Sequence, residues 1–194
     1  GGGAAVKPLL EANGVGKRRD AAKNAMILYA NIGQRDKMLA EYRTLTRLHP
    51  TAEDKANADY LVAGFDYKQW DPKGADSGSN RQARQAGEGA LMQYYQANRG
   101  NAGAARFVVE AAYAVAKMKR TGNEGDYRTW LANTVSAWDN YRSKVGAEAQ
   151  KPPYVDYAAE AAFTLIDEEI TAKYDVADRH KYTGSVPDIL GDGK

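Results

Sequence analysis

Apolar residues recur along this chain at a helical period, and glycine, proline and polar clusters cut that pattern into blocks. Residues 4–13 read as the end of a helix stopped by Gly14 and Gly16. Residues 18–32 follow, with apolar Ala22, Ala25, Met26, Leu28 and Tyr29, and Gly33 breaks them. Met38, Leu39, Tyr42, Leu45 and Leu48 keep helical spacing over 35–48, and Pro50 ends that block. Thr51 is placed to cap a helix over 52–70. The stretch from Asp71 to Asn80 reads as the clearest loop. Helices over 81–98 and 104–120 come next, separated by Gly100 and Gly103 and closed by Gly122. Residues 126–145 carry Tyr127, Trp130, Leu131, Val135, Trp138 and Tyr141. A linker runs from Gly146 to Pro153, a long helix covers 154–181, and the tail from Thr183 reads as loop. Short connections predict antiparallel neighbours. No stretch alternates as a strand would, so the expected fold class is all-α.

Composition adds limits rather than a fold. Hydrophobic residues make up 43%, enough for a packed core. With 27 basic and 25 acidic residues the net charge is +2, which gives no electrostatic case for nucleic acid or an anionic membrane. No apolar run approaches the roughly 18 residues of a membrane span. Cysteine is absent, which removes disulfides, thiol catalysis and thiolate metal sites. Tyrosine outnumbers phenylalanine 13 to 3, and alanine is clustered. Small residues beside large aromatics suit close helix packing. Gly1-Gly2-Gly3 is no signal peptide, and the closing Gly191-Asp192-Gly193-Lys194 does not look like a natural end, so a fragment of a longer protein is expected.

An internal repeat sharpens the picture. Tyr29, Gly33, Tyr42 and Pro50 fall at a 34-residue register. Tyr60-x2-Ala63-Gly64-x2-Tyr67 and Ala90-x3-Tyr94-x2-Ala97 match the two helices of a second unit. Glu110-Ala111-Ala112-Tyr113 returns as Glu160-Ala161-Ala162-Phe163, fifty residues later. These residues resemble the tetratricopeptide repeat (TPR) pattern, W-x2-L-G-x2-Y then A-x3-F-x2-A then Pro. The resemblance implies a TPR-like α-solenoid of three to four antiparallel helix pairs, a single domain over 1–194. It implies that Gly64, Ala112 and Ala162 are buried at close helix crossings. In general texture the sequence also looks like the envelope TPR proteins of bacterial gliding-motility machinery, which implies a periplasmic or cell-envelope scaffold.

Carried over residue by residue, the TPR groove gives a partner-binding set: Lys23, Ile27, Asn31, Leu61, Phe65, Lys68, Gln69, Val109, Tyr113 and Lys117. Phe65 and Tyr113 are expected to stand partly exposed on one concave surface, with Lys68 and Lys117 at its rim. Phe163 is read as packing surface facing a further repeat. The leading expectation is a non-catalytic scaffold that binds a protein or peptide. A glycan-binding α-helical module, stacking its aromatics on sugars, is the second class. An all-α enzyme using Glu110 or Glu160 is the third.

Other chemistry is thin. Asp71, Asp76, Ser77, Ser79 and Asn80 are oxygen donors, but their spacing fails the EF-hand rule and a solvated loop is expected. His49 and His180 have no partner pattern, and no zinc-protease, nucleophile-elbow or phosphate-loop sequence occurs. Neither a metal nor a cofactor is expected.

Overall fold

The segments that carry the helical period fold as helices in the computed structural model, which describes residues 3–75 and 77–173. Among these residues there are eight α-helices and no strand: α1 (Gly3–Asn31), α2 (Arg35–Arg47), α3 (Ala52–Ala63), α4 (Phe65–Gln69), α5 (Gly78–Asn98), α6 (Ala105–Thr121), α7 (Tyr127–Val145) and α8 (Tyr154–Lys173). Short 3-10 turns cover Ala102–Ala104 and Gly146–Gln150. The part of the expected last helix beyond Lys173, the tail from Thr183 and Asp76 lie outside the described residues.

The punctuation works where backbone chemistry requires it. Gly33 takes a φ of +71°, the left-handed turn that stops α1 without a Cβ penalty. The Thr51 hydroxyl accepts the Asp54 N–H at 3.0 Å and the Ser77 hydroxyl accepts that of Asn80 at 3.3 Å, so each caps the helix that follows. Two expected boundaries move. Gly14 and Gly16 do not stop α1, which runs through both. An added Cβ at either would meet nothing within 4 Å, so neither is forced by packing and each is merely a weak helix former inside a longer helix. The expected helix over 52–70 is interrupted at Gly64, which separates α3 from α4.

Each helix packs on its neighbour in the chain, and α1, α3, α6 and α8 also touch one another in succession. One buried cluster joins α1, α2, α3 and the start of α4 through Met26, Met38, Leu45, Leu61 and Phe65. The larger cluster surrounds α6, whose Phe107, Val108, Val109, Ala111, Ala112, Tyr113, Ala114, Val115, Ala116 and Met118 are all buried. Its polar Arg106, Glu110, Lys117 and Arg120 fall on one narrow stripe, and the rest of the helix faces the interior. Its far end is polar. Lys119 is buried there among Glu88 and Glu124, each at 2.9 Å, and Asp126 at 3.1 Å. Arg84 reaches the same Glu124 at 2.8 Å. Burial opposes the lysine charge, but hydrogen bonds to the three carboxylates outweigh it and hold its pKa above the ordinary lysine value.

Of the three small residues expected at close crossings, Gly64 and Ala112 are buried and Ala162 is only half-buried. The packed side of α8 carries Ala158, Ala161 and Thr164, so Ala161 takes the crossing and Ala162 turns aside. Among the described glycines, the tightest approach of another helix's backbone is at Gly87 on α5. A Cβ there would sit 2.6 Å from the backbone nitrogen of Tyr67 and 3.0 Å from its Cα. Gly87→Ala should therefore force α4 and α5 apart and destabilise the chain by about 1–3 kcal/mol in urea unfolding. Gly64→Ala should cost less, because its tightest neighbour is the Tyr60 carbonyl of the preceding turn at 3.1 Å and across the crossing only the Leu91 side chain comes near, at 3.8 Å. Equal unfolding midpoints for the two variants would contradict this reading.

Candidate functional site

The expected groove residues divide into a buried column and a polar rim. Leu61, Phe65, Val109 and Tyr113 are buried, Phe65 at 5% and Tyr113 at 7% exposure. The expected partial exposure of Phe65 and Tyr113 is therefore not found. Phe65 packs in the α1–α3 cluster with the Arg35 guanidinium 5.2 Å above its ring, and Arg35 is fixed by Asp66 at 2.8 Å. Tyr113 is covered by α8: its ring stacks on Tyr157 with centroids 4.5 Å apart, and its hydroxyl donates to Glu160.

The rim residues lie at the surface and tie one helix to the next. Lys23 on α1 reaches Asp54 on α3 at 2.8 Å. Lys68 on α4 donates to the Asn31 side chain at 2.8 Å, and Gln69 donates to the Ala30 carbonyl at 3.2 Å. Ile27 is 38% exposed beside them. Lys117 lies 5.5 Å over the Tyr113 ring. The set is thus brought together as a ladder across α1, α4 and α6 rather than as an open aromatic groove.

Beside this ladder sits a tyrosine–glutamate network that spacing alone did not reveal. Half-buried Glu110 on α6 faces the phenols of Tyr60 on α3 and Tyr154 on α8, which favour its charged form. Burial is the main influence and raises its carboxyl pKa, while the two phenols and the nearby Arg106 and Lys68 charges pull it back in part. Tyr154 is pushed up to about 12 by burial and by the Glu110 charge. Tyr67 and Tyr157 are raised as well, first by burial and then by the neighbouring phenols and carboxylates. One hint was present in the sequence: Tyr154, Tyr157 and Glu160 fall three residues apart, on one side of a helix. The network offers carboxylates, hydroxyls and ring faces from three helices at one place, a chemistry suited to cationic or hydrogen-bonding groups of a ligand.

The loop from Asp71 spends its polar atoms on its own backbone. The Asn80 amide donates to the Asp71 and Ala75 carbonyls, and Asp71 accepts the Lys73 N–H at 2.9 Å. Among the described residues no group of three His, Cys, Asp or Glu side chains is placed to hold a metal ion. No described helix is long and apolar enough to cross a membrane. No protein-family model matches this sequence, and no curated protein or solved structure matches it either.

The Glu110 carboxyl makes a pH signature. Its folded pKa stands above the ordinary 4.5, so its contribution to stability is complete below that value and is lost as pH rises through the folded one. Glutamine cannot ionise. The melting temperature of Glu110→Gln relative to the parent should climb as pH rises above 4.5. A difference that stays flat with pH would mean that the carboxyl is as well solvated in the fold as in the unfolded chain.

Proposed function

We propose that this chain is a TPR-like stack of antiparallel helix pairs that acts as a non-catalytic scaffold, holding a segment of another protein along the face formed by α1, α4, α6 and α8. The pairs are α1 with α2, α3–α4 with α5, and α6 with α7, with α8 opening a fourth. Packing between neighbours only, first helix on first helix, supports this arrangement. The recurrence of Glu-Ala-Ala-aromatic on α6 and α8 supports it independently.

The observation that carries the function is the run of accessible side chains on successive helices: Ile27 and Asn31 on α1, Lys68 on α4, Lys117 on α6 and Tyr157 on α8. A segment laid across the helices meets a hydrogen-bonding or aromatic group at each step. The buried column of Leu61, Phe65, Val109 and Tyr113 supports that face from beneath. Glu110 is the acid an enzyme reading would use, but it faces two phenols that belong to the packing, Tyr60 and Tyr154. It serves the face as an acceptor.

Panning a displayed random-peptide library against the chain tests this. Peptides should be enriched whose affinity falls about tenfold or more in the Ile27→Asp, Lys117→Glu double variant. Lys151→Glu, in the connection between α7 and α8, should leave their affinity unchanged. Failure to enrich any peptide, or equal loss in the Lys151 variant, would sink the proposal.

A further inference from the structure

Apart from Val145 at the end of α7, the exposed large apolar side chains among the described residues gather at the first and last helices. Leu28 (56% exposed) and Ile32 (52%) lie on and just after α1, and Phe163 (71%) and Ile166 (57%) lie on α8. Each set belongs to a full helical stripe. On α8 the stripe is Val155, Ala159, Ala162, Phe163, Ile166 and Ile170, on the side away from buried Ala158, Ala161 and Thr164. On α1 it is Ala21, Ala25, Leu28 and Ile32.

The internal repeat says that the α8 stripe is built for contact. Fifty residues earlier, five of the same six positions of α6 are Ala105, Val109, Ala112, Tyr113 and Ala116, all buried, and the sixth, opposite Ile170, is exposed Arg120. Tyr113 and Phe163 are the same position of the motif, one covered and one bare. At the same offset from α7's buried Trp130, Leu131, Thr134, Ala137 and Tyr141 the sequence has His180, Lys181, Gly184, Pro187 and Gly191, with no apolar stripe among them.

We infer that the cover is a second copy of this chain, the α1 end of one molecule seating on the α8 end of another. Three features of the two ends agree. The α1 end carries a groove of about 490 Å³ between α1 and α2, floored by Ala21, Ala22 and Ala25. It is deep enough in small residues to take Phe163 and Ile166. With the two helices antiparallel, large meets small in both directions: Phe163 and Ile166 over Ala21 and Ala25, and Leu28 over Ala159 and Ala162. Charge also agrees. The groove is rimmed by Arg18 and Arg47, with Glu41 its one carboxylate, whereas exposed Asp156 and Asp167 flank the α8 stripe. In that antiparallel setting Arg18 comes beside Asp167. Two α8 stripes set against each other would instead bring their aspartates together. The contact joins unlike surfaces, so it propagates from copy to copy.

Sedimentation velocity over a concentration series reads the outcome. The parent should form concentration-dependent species beyond a dimer. Phe163→Asp and Leu28→Asp change exposed side chains, so each variant should keep the parent's helical circular dichroism. Each should lose self-association by about 30-fold or more. Mixed together they should form a one-to-one pair and nothing larger, because each retains one working end. A parent that stays monomeric, a single variant that still self-associates, or a mixture that does not pair would each overturn the inference.

Discussion

The interior position of α6 is the constraint on which the rest of the structure depends. Alanines at Ala111, Ala112, Ala114 and Ala116 let neighbouring helices approach its backbone, and Phe107, Tyr113 and Met118 fill the spaces between them. α5, α7 and α8 all pack on this one helix, and α3 touches it as well. A helix so placed has only a narrow stripe, Arg106, Glu110, Lys117 and Arg120, on which to carry polar groups. The more enclosed Glu110 and Lys119 therefore lie against polar groups of other helices.

Those partners determine what the surface looks like. At the C-terminal end of α6, Lys119 draws Glu88 from α5 and Glu124 and Asp126 from the turn before α7. Breaking such a buried set would leave carboxylates facing one another, which makes the arrangement a fixed joint between three elements. Toward the other end, Glu110 faces Tyr60 from α3 and Tyr154 from α8. Tyr113 draws Glu160 and stacks on Tyr157, one turn further along the same helix. The polar, ring-rich character of the candidate face is thus a consequence of burying α6. A ligand bound there meets groups whose positions are already set by packing, so little ordering is left to oppose binding.

Much of the helical order was legible because its signals are local. Gly33 ends α1 through a left-handed backbone, Thr51 caps α3 with its hydroxyl, and the turn after α6 falls at Gly122. The failures were of two kinds. Gly14 and Gly16 are weak helix formers, and weakness alone does not end a helix that is continuous on both sides. Gly64 was read as a small packing residue within one helix and is also the break between two. The close approach at Gly87 had no sequence signal, since that glycine answers to the Tyr67 backbone, twenty residues away in the chain. The candidate site was legible as residue types and not as exposure. The repeat register picked out Phe65 and Tyr113, but whether a ring at such a position meets solvent depends on the next helix.

That dependence explains why one motif has two fates. Glu110-Ala111-Ala112-Tyr113 and Glu160-Ala161-Ala162-Phe163 place an alanine and an aromatic at the same turn of α6 and α8. Ala112 and Tyr113 are enclosed, because α8 lays Tyr157 and Glu160 across them. Ala162 and Phe163 are open, because no described helix stands beyond α8 to do the same. The chemistry of the two aromatics is nevertheless graded to match. Tyr113 has a hydroxyl and uses it on a carboxylate of the covering helix, whereas Phe163 has none and asks only for an apolar surface. A surface with small residues and few polar atoms satisfies that demand, and the alanine-floored groove at the α1 end has both properties. In a stack of this kind exposure is set by where a residue falls in the order of helices, and side-chain identity records which neighbour each position is shaped to meet.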